Sequence, residues 1–202
     1  MKTKFFAIIT ILALAGGLSN STFATEKNTQ PGAVVLSDVN NINKIEVRGN
    51  VELYVSAGTT EQVKVYNKYY AESALVQSSK GVLRIASYTK EKLVVWVTTN
   101  DLRAINAYDN AEVKSFGNLT AIDLDINLHN NATARLNLDA YDANVSVNDH
   151  AKLELTGTAT VYNLTHNSQS LVNNNNFVAD AYYDKLTPGK VAKNSTNELA
   201  GI

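Results

Sequence analysis

Asp109 and Asp149 are the residues of this chain whose type and spacing come nearest to catalytic chemistry. Each stands two positions before an alanine, Ala111 or Ala151, that closes a repeated polar corner, and Asn130 holds the same place in the repeat between them. If the repeats stack at the strand spacing of about 4.8 Å, the two carboxylates lie about 9.6 Å apart, near the upper end of the separation used by inverting glycosidases. A column reading Asp, Asn, Asp is also what turn chemistry selects, because these side chains bond to their own backbone and tolerate left-handed φ. The turn reading explains all three residues, so no catalytic residue is assigned. Asp123 and Asp142 share another column on adjacent repeats, where like charges repel unless a cation or a lysine intervenes. The repeats lack the Gly-Gly-x-Gly-x-Asp spacing of calcium-binding β-rolls. His129, His150 and His166 are the only histidines and fall in three different columns, so they do not converge as zinc ligands. No metal ligand set and no cofactor is expected.

The elements that would position these residues come from one pattern met four times. It reads Ile105-Asn106-Ala107-Tyr108-Asp109-Asn110-Ala111, then Ile126 to Ala132, Val145 to Ala151 and Tyr162 to Ser168. The closing small residues at 111, 132, 151 and 168 are spaced by 21, 19 and 17, the kind of interval that marks a solenoid. Six and four residues before each corner stand Ile105/Ala107, Ile126/Leu128, Val145/Val147 and Tyr162/Leu164, an alternation that turns one strand face inward. The closing residue is small because a tightly turning coil leaves little room. Immediately before it stand Asn110, Asn131, His150 and Asn167, and Asn50 matches them upstream in Ile45 to Val55. Stacked amides can donate to one neighbour and accept from the other, so these five are expected to form a structural ladder.

At the N-terminus, Met1-Lys2-Thr3-Lys4, the apolar run Phe5 to Leu18 and Thr22-Phe23-Ala24 read as a secretory signal peptide over 1–24, too short in its apolar part to span a bilayer. Residues 25–41 form a leader into the fold or, at Ala33 to Leu36, a short first strand; 42–186 form the domain and 187–202 a tail. Without Lys2 and Lys4, 16 basic residues face 19 acidic ones, a formal charge of −3, which draws neither nucleic acid nor anionic lipid. The absence of cysteine excludes disulfides, thiolate metal sites, a cysteine nucleophile and a lipidated cysteine anchor. Two prolines and a Tyr, Asn, Val and Leu bias fit an all-β domain. Gln62 to Tyr66, Val82 to Ile85 and Leu93 to Val97 are further strands without the corner motif, with turns at Ser78 to Gly81 and Thr98 to Asp101, and they fit either irregular coils or a local hairpin sheet.

Lys44 to Leu53, Gly81-Val82-Leu83-Arg84-Ile85 and Asp101-Leu102-Arg103-Ala104-Ile105, with their Asn-Ala corners, resemble the autotransporter adhesin head domain, or GIN domain, of exported Bacteroidetes proteins. The likeness covers roughly residues 42–186 and implies a right-handed single-stranded parallel β-helix, no catalytic activity and a role in adhesion at the cell surface. No functional residues come with its motifs. The expected protein is therefore an all-β solenoid with an irregular N-terminal part, exported to the periplasm, the cell surface or the medium. It acts as a non-catalytic module that binds a surface glycan or protein through repeated polar contacts, and self-association is open to it. The alternative class is a polysaccharide lyase or glycosidase on the same scaffold. Tyr54 and Trp96 alternate out of phase with the inward residues around them and are the candidate binding side chains, since outward flat rings suit sugar or protein surfaces.

Overall fold

The computed structural model describes residues 33–36, 39–66 and 74–188, so the expected signal peptide and the residues from 189 onward lie outside it. Among the described residues every regular element is a strand. The first seven are β1 (Val34–Leu36), β2 (Lys44–Gly49), β3 (Val51–Ala57), β4 (Gln62–Val65), β5 (Ala74–Ser79), β6 (Val82–Ser87) and β7 (Leu93–Thr99). They are followed by β8 (Ala104–Tyr108), β9 (Glu112–Ser115), β10 (Leu119–Leu128), β11 (Thr133–Val147), β12 (Lys152–Asn167) and β13 (Leu171–Thr187). All join one sheet that curls around one apolar core.

Strict alternation drives the curl. Ile105, Ile126 and Val145 occupy one inward column and Ala107, Leu128 and Val147 the next, all buried and paired in parallel with the coil before. Burying each Val, Leu or Ile of these columns contributes about 1.5 to 3 kcal/mol. Between β8 and β10 the register offset is 21 residues, and between β10 and β11 it is 19. The long strands bend where ladder pairing skips Ile122, Tyr141, Thr160 and Asp180. On the N-terminal side of that bend, Ala121, Ala140, Ala159 and Ala179 lie in register, and their small size lets the backbone fold inward.

The fourth pass of the pattern departs from the expectation. Val147 pairs with His166 and Lys152 with Leu171, an offset of 19 on both sides of the corner. Ala151 therefore lies over Ser170 rather than Ser168, and the inward partner of Val145 is Leu164 while Tyr162 partners Ala143. The cause is the period of two: a slip of two residues keeps every side chain on its face, so alternation alone does not distinguish the two registers.

The N-terminal part is more regular than expected. β6 and β7 form a full coil in parallel register with β2 and β3. That coil lies outside β2 and β3, because β2 pairs with both β6 and β8, and β3 with both β7 and β9. Chain order and stacking order thus differ, and the chain crosses back over its first coil to reach β8, where Arg103 N and Ala104 N donate to Asn43 O at 2.8 and 3.1 Å. Antiparallel partners finish this end: β5 on β6, β4 on β7 and β1 on β4. The β5–β6 connection is Lys80-Gly81, both at positive φ (51° and 80°), the two-residue hairpin geometry that a glycine permits.

Candidate functional site

Asp109 and Asp149 stand at the corners between strands. Asp109, Asn130 and Asp149 have φ of 60°, 61° and 57°, and Gly49 stands in the same column at 79°. Each corner closes when Ala111, Ala132 or Ala151 donates its N–H to Tyr108, His129 or Asn148 O at 3.2, 3.1 and 3.1 Å. Asn130 Nδ2 donates to Asp109 Oδ1 at 3.1 Å, and Asn130 N to Asp149 Oδ2 at 3.1 Å. Tyr88 Oη also donates to Asp109 Oδ2 at 3.1 Å. Both aspartates thus serve left-handed corners and the bonds between coils.

The ladder column holds together in register but not as a chain of side-chain bonds. Asn131 Nδ2 reaches Asn110 Oδ1 at 3.5 Å on the exposed rim. Asn50 shares the column, yet its amide donates to Thr89 O and Lys90 O, both at 3.1 Å. His150 binds through its backbone, donating to Asn130 O at 2.9 Å, and its side chain is exposed. Asn167 lies over Asn148 instead, is 5% exposed, and its Oδ1 accepts from Gln169 N and Ser170 N at 3.0 and 2.8 Å. Substitution should separate the two roles. Asn167→Ala strands two backbone donors and is expected to cost about 2 kcal/mol, whereas Asn131→Leu, exposed on the rim, is expected to cost under about 0.5 kcal/mol. Urea melts of the two variants check this, and equal midpoints would contradict it. Stronger amide ladders occur elsewhere: Asn163 Nδ2 to Asn144 Oδ1 at 2.9 Å, Asn144 Nδ2 to Asp125 Oδ1 at 3.2 Å, and Asn127 Nδ2 to Asn106 Oδ1 at 3.0 Å.

The histidines stay apart. His129 stacks on Tyr108 with ring centroids 5.0 Å apart, His166 Nε2 pairs with Asp184 Oδ1 at 3.3 Å, and His150 faces solvent. Asp123 and Asp142 are in register on adjacent coils. No group of three or more His, Asp or Glu side chains among the described residues is placed to hold a metal.

Tyr54 and Trp96, the two rings that break the inward phase, are brought into contact. They lie opposite one another on β3 and β7, stacked with centroids 4.7 Å apart and planes 24° from parallel. Phe116, just past β9, tilts against Trp96 at 5.0 Å and is 61% exposed, and Tyr66, just past β4, meets Trp96 edge-on at 6.3 Å. Lys114 is opposite Tyr54 on β9, with Nζ 5.5 Å from the Tyr54 ring centroid. Lys114 pairs closely with Glu52 and reaches Glu112 at 3.4 Å, while Lys92 pairs with Glu112 at 2.6 Å. Tyr54 Oη donates to Glu52 Oε1 at 2.8 Å. The Lys114 hydrogen bond holds Glu52 below the usual carboxylate range, and the Lys92 bond does the same for Glu112. In return the bond to Glu52 pushes both Lys114 and the Tyr54 hydroxyl up. These bonds hold the Tyr54 ring in place beside Trp96.

Register extends this cluster into one outward row, Lys64, Trp96, Tyr54, Lys114, Arg135, Glu154, Asn173, each on the strand next to the last. Phe116, Tyr66 and Lys114 were not singled out in the sequence. Their signal is the same out-of-phase alternation, usable only once residues 82–99 are known to form a coil beside β3.

A family model described as "Putative auto-transporter adhesin, head GIN domain" matches residues 41–200. The fold is similar to the crystal structure of a putative adhesin from Bacteroides fragilis NCTC 9343, with a TM-score of 0.68 and 18% identity over 79% of this chain and 78% of that one. It is also similar to a putative adhesin from Parabacteroides merdae ATCC 43184, with a TM-score of 0.63 and 14% identity over 78% of each chain. A third similar structure, called a putative lipid binding protein, comes from Parabacteroides distasonis ATCC 8503, with a TM-score of 0.53 and 12% identity over 79% of each chain. At these identities the likeness concerns the fold alone. A comparison with curated proteins returns no match.

Proposed function

The chain belongs to the putative auto-transporter adhesin, head GIN domain family, and from that premise we propose that it is an exported, non-catalytic binding module built on a right-handed parallel β-helix. The parallel offsets of 19 and 21 residues and the bends shared by successive coils support the helical reading of the curled sheet. In this reading residues 1–24 are a signal peptide, 25–41 a leader and the β-helix runs from residue 42. The module works at the cell surface or in the periplasm, where its partner is a glycan.

The observation that carries the reading is the Tyr54–Trp96–Phe116 platform, prepacked by Lys114 and Glu52 on the outward face of β7, β3 and β9. Stacked rings present a broad apolar surface with little conformational freedom to lose, and their polar neighbours can accept or donate to hydroxyl groups. Repetition along the coils would add weak contacts into useful avidity. A glycan array on the chain lacking residues 1–24, with reducing-sugar release measured on every retained glycan, tests this. Retention without release is expected, and Trp96→Ala is expected to weaken it by about tenfold or more. Release of reducing ends would move the protein to the polysaccharide-processing class, and retention unaffected by Trp96→Ala would remove the platform from the site.

A further inference from the structure

We propose that the face carrying the aromatic platform is selective for acidic polysaccharide, with a carboxylate seat formed by Arg135, Lys152 and Thr133; this rests on the glycan-binding reading above. Charge is segregated around the coils. Residues 119–188 carry seven aspartates, from Asp123 to Asp184; Asp139 lies four residues along β11 from Arg135 on this face, and the other six lie off it with Lys185. Arg135 and Lys152 point to the same outward face as Lys64, Lys92 and Lys114, five cations whose acidic company is Glu52, Glu112, Glu154 and, at the far end of the straight stretch of β11, Asp139. A chain that is acidic elsewhere thus turns a cationic strip toward the aromatic rings.

The strip has a place for an anion. Two open depressions of about 340 and 190 Å3 sit side by side and share Thr133, Arg135 and Lys152. Thr133 lies opposite Lys152 across β11 and β12, and Arg135 is its diagonal neighbour, so hydroxyl, ammonium and guanidinium border one recess. The occupant of Arg135 today is Glu154, at 3.3 Å, with both side chains more than half exposed. Such a surface pair is worth little, and an incoming carboxylate can replace it. The inner pair of Lys114 and Glu52 is better buried and stays to hold Tyr54. Tyr54 and Arg135 are two strand spacings apart, about 9.6 Å, so a linear polymer laid across the coils would meet rings first and cations next.

Trp96 is the only tryptophan, so its fluorescence reports on the platform directly. The titrants are polygalacturonate and the same polymer after carboxyl reduction to the neutral form. Polygalacturonate is expected to shift the emission saturably, with affinity at least about tenfold above the neutral polymer. Lys152→Glu should remove most of that advantage, Lys185→Glu should leave it intact, and Glu154→Gln should tighten binding by releasing Arg135. Far-ultraviolet circular dichroism and melting temperature show whether each variant is folded. If the neutral polymer binds equally and Lys152→Glu changes nothing, acid selectivity is overturned while glycan binding stands. If Lys185→Glu weakens binding as much as Lys152→Glu, net charge explains the preference and the seat is overturned. Failure to bind either polymer overturns the seat; if the glycan array also shows no retention, the glycan-binding reading falls with it.

Discussion

Gly157→Ala is expected to destabilise the protein by about 4 kcal/mol and to lower its melting temperature by about 10 °C. Gly157 has φ of +109°, a conformation side chains rarely adopt, and an added Cβ would stand 2.1 Å from Leu138 O. That oxygen belongs to the backbone of the preceding coil, paired residue for residue with β12, so it cannot withdraw without breaking the ladder. Phe177 lies opposite Gly157 on the following coil and packs its ring against buried Tyr162 at 5.0 Å. Gly117→Ala is the control: its φ is +80° but no atom lies within 4 Å of the new Cβ, so only backbone strain of about 1 kcal/mol is expected. Calorimetry on both variants decides the matter. Equal losses would mean that the coil-to-coil clash contributes nothing.

Ala132→Leu is expected to cost about 3 kcal/mol through overpacking. Ala132 is fully buried at a corner whose equivalents in the flanking coils are Ala111 and Ala151, also fully buried. Successive coils lie about 4.8 Å apart, which leaves no room for three extra carbons in the middle of the column. Thr133 is the next residue and points outward, so Thr133→Leu is expected to change stability by under about 0.5 kcal/mol. Denaturant titration of the pair measures the difference, and a tolerant Ala132→Leu would show that the corners are looser than their burial indicates.

Much of the architecture was legible because two signals are local. Inward alternation placed Ile45, Val47, Leu53, Val55, Ile105, Ile126 and Val145 in the core, where all are buried. The Asp, Asn, Asp column was readable as turn chemistry because few residues other than glycine, asparagine and aspartate take positive φ, and all three do. Other features were not local. The Ala121, Ala140, Ala159, Ala179 column is present in the sequence at intervals of 19, 19 and 20, yet a lone alanine in a strand carries no signal until its neighbours in space are known. The ladder assignment failed at Asn167 for the related reason that an amide just before a small residue can stack on a neighbour or cap its own turn. Asn167 caps its own turn.

By itself the sequence determined which side chains face inward, where the chain turns and that its repeats lie parallel, since each depends on residue type and on a period of two or about nineteen. The tertiary structure alone decided that residues 82–99 stack outside residues 44–57, and hence that Trp96 lies on Tyr54 with Lys114 beyond it. Stacking order is a contest between whole coils that present similar inward faces to one another. Side-chain alternation is the same for every order, so the choice rests on long-range packing and on which edge the antiparallel strands close.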